Sequence, residues 1–290
     1  MQENNSLKVE KDLQQIAEML LLNGTLTECP GLVHGKMGIA VFFFYYSQFT
    51  GNEIFADYAM DLVSEMLDQL HINSPADYEK GVAGIGVGID YLIHNNFLIA
   101  ENDICEDFDK RMIRAVMYDP WSDFSQYRGL TGYGRYWITR LYYPIPAVSA
   151  RECLLHIVTL IDEKILDISI AEQTDVLCFL HDLQKNAGFD SCCFKLLEKC
   201  RRYWNLPSLI LGCFPRLGDS DFSNIIRDCK SKKCFNNSLF AEIDLSFEHV
   251  PDLNMENAPV STGLLNGYAG EGLFRLTSLN KINISWMDLL

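Results

Sequence analysis

The sequence predicts an all-α protein of the α/α-toroid class, with about six to seven helical hairpins arranged as two concentric rings. Two observations predict it. A glycine motif recurs at a near-constant interval, each time opening an apolar segment. Between those segments lie stretches whose apolar residues return at i, i+3, i+4 and i+7, the period of an amphipathic helix. An all-round apolar helix must be buried on every side, and an amphipathic helix can cover it from outside. A closed double ring satisfies both demands. An open solenoid, the alternative for repeats of this length, would leave one side of the apolar helices exposed.

Taken in order, the apolar segments are HGKMGIAVFFFYY from His34, KGVAGIGVGIDYLI from Lys80, RGLTGYGRYWITRLYY from Arg128 and NGYAGEGLFRLTSL from Asn266. Each opens with G-x-x-G: Gly35/Gly38, Gly81/Gly84, Gly129/Gly132 and Gly267/Gly270. Successive first glycines lie 46 and 48 residues apart, and the last interval is 138, three times 46. Two more units without the glycine signature are therefore expected between residues 143 and 267. AEQTDVLCFLHDLQKN from Ala171 and LILGCFPRLGDSDF from Leu209 are their candidates, although Pro215 limits a helix in the second. The amphipathic partners are LQQIAEMLLL, FADYAMDLVSEMLDQL, DICEDFDKRMIRAV and ARECLLHIVTLIDEKIL. Residues 231–262 read as a long loop, and no linker divides the chain, so one domain over residues 1–290 is expected.

Glycine inside a helix costs roughly 1 kcal/mol against alanine, so its repetition needs a cause. In a ring, helix N-termini converge on one rim. Without a Cβ their backbones approach closely, and unsatisfied N–H groups would face the cavity.

The 290 residues carry a net charge of −15, which argues against nucleic acid and anionic membranes as partners. No apolar run reaches the ~18 residues of a membrane span, and the N-terminus lacks the pattern of a signal peptide. A cytoplasmic location is expected. The ten cysteines show no C-x-x-C spacing and are read as mostly reduced core residues.

The GLVHGKMGIA start, the repeated G-x-x-G openings and the final GLLNGYAGEGLFRL resemble the lanthionine synthetase C-like (LanC-like) family over essentially the whole chain. That resemblance implies an α/α toroid, usually of seven helical pairs, of which about six can be counted here. It implies a role in a modified-peptide (lanthipeptide-type) pathway. Family cyclases add a cysteine thiol of a precursor peptide to a dehydrated serine or threonine, closing a thioether ring. The expected partners are a precursor peptide and a dehydratase or other peptide-modifying enzyme.

Family cyclases hold zinc through two cysteines and a histidine, in C-Y-G and C-H-G motifs just before rim glycines. Here those positions hold Val33/His34, Glu79/Lys80, Tyr127/Arg128, Ile210/Leu211 and Leu265/Asn266. The family's zinc set is therefore not expected, and no metal ligand is assigned. Zinc would need a site rebuilt from other positions, such as Cys153 with His156, Cys178 with His181, or Cys192, Cys193, Cys200 and Cys213. The bland reading of these is core packing.

For catalysis the rim positions single out His34 as an acid–base group and Arg128 as an enolate stabiliser. For substrate binding they single out Lys80, Tyr133, Asn266 and Tyr268. Solvated rim residues and packed aromatics are the structural alternatives. Asp77, Tyr78 and Glu79 read as residues ahead of a helix, where acidic groups favour the dipole. Two further functions remain open to this sequence, a non-catalytic scaffold or partner of a peptide-modifying complex and an α/α-toroid glycosidase. A glycosidase would need a carboxylate pair about 5–9.5 Å apart, drawn from Asp77 or Glu79 with Glu271 or Asp90.

Overall fold

The computed structural model describes residues 2–71, 73–99, 103–118, 123–143, 146–204 and 261–290. Among them every regular element is helical. The helices are α1 (Gln2–Gly24), α2 (Lys36–Thr50), α3 (Ile54–Gln69), α4 (Val82–His94), α5 (Glu106–Ile113), α6 (Leu130–Arg140), α7 (Ala147–Glu163), α8 (Ile170–Gln184), α9 (Asp190–Tyr203) and α10 (Tyr268–Ser278). A π-turn at Arg114–Tyr118 prolongs α5, and a 3₁₀ segment, Ile284–Leu289, follows α10.

The glycine-started segments become α2, α4, α6 and α10, and the amphipathic stretches become α1, α3, α5 and α7. The segment from Ala171 is α8, the expected unit without glycines. Helix α9, which carries Cys192, Cys193 and Cys200, packs on α8. The second expected unit, from Leu209, lies outside the described residues, as does most of the loop expected at 231–262.

Two rows result. In the inner row α10 packs on α2, α2 on α4, α4 on α6, and α6 on α8. In the outer row α3 covers α2, α5 covers α4, α7 covers α6, and α1 lies against both α10 and α2. Burial follows the sequence pattern. Every residue from Lys36 to Ser47 of α2 is buried, whereas in α3 Ala59, Leu62, Val63 and Met66 are, at helical spacing. Three inner helices also bury a cation that meets an outer carboxylate: Lys36 with Glu65, Arg140 with Asp109 (2.7 Å), and Arg275 with Asp12 (3.3 Å). Such a pair favours one register between the rows, because either charge left alone inside would be costly.

The glycine motif has a definite cause. In each glycine-started unit the chain makes a turn and doubles back on the helix it is about to start. The first helical N–H donates seven residues back, from Lys36 to Cys29 O, Val82 to Pro75 O and Leu130 to Asp123 O, each at 2.9 Å, and from Tyr268 to Ser261 O at 3.0 Å. A Cβ on Gly35, Gly81 or Gly129 would lie 2.2–2.3 Å from that same carbonyl oxygen. The second glycine meets the carbonyl six residues before it, at 2.5 Å for Gly38, 2.0 Å for Gly84 and 2.1 Å for Gly132. Glycine is required because backbone occupies the volume of its side chain.

Candidate functional site

The turns ahead of the inner helices join edge to edge. Leu264 and Leu265 donate their N–H groups to Val33 O, Val33 donates to Glu79 O, and Tyr78 and Glu79 both donate to Tyr127 O. A continuous backbone collar thus links four units. Gly31 and Gly263 permit it, since a Cβ there would come within 2.3 Å of Lys80 Cα and 2.5 Å of His34 Cα.

The expectation that helix N-termini offer free N–H groups to a ligand is corrected by this geometry. The second helical N–H groups are also taken, Met37 by Pro30 O, Ala83 by Ala76 O and Ala269 by Thr262 O, each at 3.3 Å. The upstream turn saturates the donors that an anion would otherwise recruit.

His34 and Arg128, from different units, meet on one carboxylate. Glu79 accepts from Arg128 Nε at 2.9 Å and lies 3.6 Å from His34 Nε2. Burial alone would raise the Glu79 pKa, but the Arg128 hydrogen bond and charge, with His34 and Lys80 nearby, hold it below the ordinary carboxylate value. Lys80 and Asn266 are exposed, Asn266 in the left-handed region at φ 54°. Tyr133 and Tyr268 are buried, at 5% and 8% exposure, so their rings present little surface to a substrate. Asp77 accepts from Lys80 N–H at 2.8 Å and serves its own turn.

Zinc does not fit this rim. The positions before the glycines supply one imidazole and no thiol, and the imidazole faces a carboxylate already held by a guanidinium. Cys29, in the turn upstream of His34, is half-buried. Burial raises its pKa against a lowering hydrogen bond from Gly31. Among the described residues no three of His, Cys, Asp or Glu converge as a metal-binding group. Cys178 is disulfide-bonded, so it offers no thiolate beside His181. Burial pushes Cys105, Cys153 and Cys200 up to about 12, the condition of inert core thiols. Cys213 lies outside the described residues.

Behind the collar, a cavity of about 950 Å³ opens between α4, α6 and α8. Asp90, Tyr91 and His94 of α4, Arg135 and Thr139 of α6, and His181 and Asp182 of α8 line it. Asp90 is raised by burial, opposed by Tyr143, whose hydroxyl donates at 2.7 Å, and by His94 and Arg140. Of the carboxylates weighed for a glycosidase, Asp90 alone lines this cavity. Glu79 belongs to the rim, and Glu271 pairs with Arg275 on the side facing α1.

One wall of the cavity went unread in the sequence. Residues 284–290 run beside α4 and α6 from α10 toward the collar, and Asp288 and Leu289 face the cavity. Tyr78 donates to Leu289 O at 2.9 Å, Gln126 Nε2 and Tyr127 (3.4 Å) to Leu290 O, and Arg135 to Asp288 O. Trp286, Met287, Leu289 and Leu290 are buried. Tyr78, Gln126 and Tyr127 sit just ahead of inner helices, a register the glycine repeat marks. What they hold depends on a segment that no periodicity announces.

No family model, curated protein or solved structure matches the chain. No described helix is long and apolar enough to cross a membrane.

Proposed function

We propose that the chain is a LanC-like peptide-binding protein of a modified-peptide pathway. In this reading its helical pairs close into an α/α toroid that holds a precursor peptide beside a dehydratase. The observation that carries it is a set of side-chain donors, Tyr78, Gln126 and Tyr127 of the collar and Arg135 of α6, which hold the backbone oxygens of residues 288–290 as they would those of a bound peptide. The reading is of holding rather than ring closure. Cyclisation needs a thiolate near neutral pH, and here the rim N–H groups are engaged and the zinc ligands of the resembling family are replaced. His34 and Arg128 then fix neighbouring turns through Glu79.

The test is a titration of the full chain with a fluorescent peptide carrying one cysteine and one dehydrobutyrine. Ring closure would be read as loss of an alkylatable thiol at unchanged mass. Binding without closure is the expected result. Binding with closure would restore the cyclase reading and make His34→Ala and Arg128→Ala the next variants. Absence of binding would overturn both.

A further inference from the structure

The segment of residues 284–290 is held both by its side chains and by its backbone oxygens. Its side chains supply ordinary burial: Trp286 is fully buried with Nε1 donating to Thr277 Oγ1 at 2.9 Å, and Met287, Leu289 and Leu290 are nearly so. Its backbone is different. Three successive backbone oxygens, of Asp288, Leu289 and Leu290, accept from side chains that belong to two other units, namely Arg135, Tyr78, Gln126 and Tyr127. Further along, Tyr91 Oη lies 3.3 Å from Ser285 Oγ, and the Tyr91 and Tyr45 hydroxyls are 2.6 Å apart.

Side chains that bind backbone carbonyls recognise a peptide largely without regard to its sequence. The last carbonyls of a helical turn have no partner within it, and here the partners come from side chains of two other units. Inside this segment Leu290 N–H bonds to Met287 O at 3.1 Å, which leaves the backbone oxygens of the last three residues to the groove.

Resting on the peptide-binding reading above, we propose that residues 284–290 are an intramolecular ligand of the peptide groove, and that a peptide partner gains the groove only by displacing them. The partner's chemistry follows from what is bound. It is a short segment with bulky apolar side chains at the positions of Trp286, Met287, Leu289 and Leu290 and backbone oxygens that can accept at the positions of Asp288, Leu289 and Leu290. Displacement would enlarge the adjoining cavity by removing the wall formed by Asp288 and Leu289. The groove therefore has two states, closed on itself and open to a partner, with the chain's own segment present at a high effective concentration.

The full chain tests this with a synthetic probe, Ile-Asn-Ile-Ser-Phe-Met-Asp-Leu-Leu, whose phenylalanine distinguishes it by mass from residues 282–290. Amide hydrogen exchange is followed across the probe titration. The expected result is that the probe binds and that exchange of 284–290 accelerates in step, while α4 and α6 keep their protection. Gln126→Met, which loses a donor to the segment and keeps its volume, should release the segment more readily, with exchange there faster by about tenfold. The inference is overturned if the probe fails to bind the wild-type chain, or binds with the protection of 284–290 unchanged. Because the wild-type titration decides, misfolding of the variant would not rescue it. The dehydrobutyrine peptide separates the two claims. If that peptide binds without releasing 284–290, this inference falls and peptide holding stands at a site other than these donors; if neither peptide binds, both fall.

Discussion

The starts of α6 and α8 solve one problem by different chemistry. Both must satisfy the turn of a neighbouring unit while keeping a helix N-terminus in order. At α6 the backbone does this. Leu130 N–H reaches back to Asp123 O, Tyr127 O accepts from Tyr78 and Glu79, and Gly129 and Gly132 make room. At α8 no glycine is present, and side chains take over. Glu172 accepts from Phe124 N–H at 2.7 Å and Asp175 from Gln126 N–H at 2.9 Å, both in the preceding turn. Glu172 also accepts from Ser169 N–H at 3.0 Å, one half of a capping box. A carboxylate thus stands where a carbonyl stood. A repeat can lose its signature and keep its contact, provided an acceptor remains in place.

Alanine at the α6 and α4 starts should break the comparison most severely. Gly129→Ala sets a Cβ 2.2 Å from Asp123 O and 2.6 Å from Ser125 N, and Gly84→Ala sets one 2.0 Å from Tyr78 O. These obstacles are backbone within a hydrogen-bonded turn, so neither can move without undoing the collar. Each substitution should cost at least about 3 kcal/mol, beyond ordinary overpacking. Gly51→Ala is the control. Gly51 caps α2 at φ 68° with nothing within 4 Å of its Cβ position, so only its backbone preference is lost, roughly 1 kcal/mol. Urea denaturation of the three variants checks the order. Equal losses at Gly129 and Gly51 would mean that the turn yields and the glycines are dispensable.

The α8 side of the comparison should be softer. Glu172→Ala removes the acceptor for Phe124 and half of the capping box, for a loss of about 1–2 kcal/mol in the same experiment. Glu172→Gln keeps an oxygen acceptor and should lose less than half as much. If glutamine is as damaging as alanine, the charge rather than the acceptor holds the turn, and the analogy with a backbone carbonyl fails.

The difference between these units also explains what could be read in advance. Glycines at Gly35, Gly81, Gly129 and Gly267 gave the starts of four inner helices, because a steric need leaves only one residue type. Helical periodicity exposed α1, α3, α5 and α7. The α8 unit was legible as a helix, but Glu172 and Asp175 were not legible as its link to α6, since a carboxylate has many uses. The same ambiguity hid Glu79 as the group joining His34 to Arg128. The backbone acceptors of residues 288–290 had no signal whatever, because backbone atoms are the same in every sequence. Close backbone approach was legible from the glycines, but not which backbone approaches. Spacing shows that a Cβ is excluded, but not whether the excluding atom lies in a neighbour, a ligand or the chain's own turn.

The weakest link of the collar should be its only charged one among these contacts, and pH isolates it. Glu79 is held below its ordinary value of 4.5 by Arg128, with His34 and Lys80 assisting. A carboxylate with a depressed folded-state pKa adds stability that is fully present above its unfolded value and is lost as pH falls through the folded one. The stability of the wild-type chain relative to Glu79→Gln should therefore shrink as pH falls below 4.5. Arg128 is 52% exposed, so the difference should stay under about 1 kcal/mol and diminish further in high salt. Stability curves of the two proteins measured from neutral pH downward decide it. Should they run parallel throughout, Arg128 and Glu79 contribute nothing between units, and the bonds from Tyr78 and Glu79 N–H to Tyr127 O join the two turns without them.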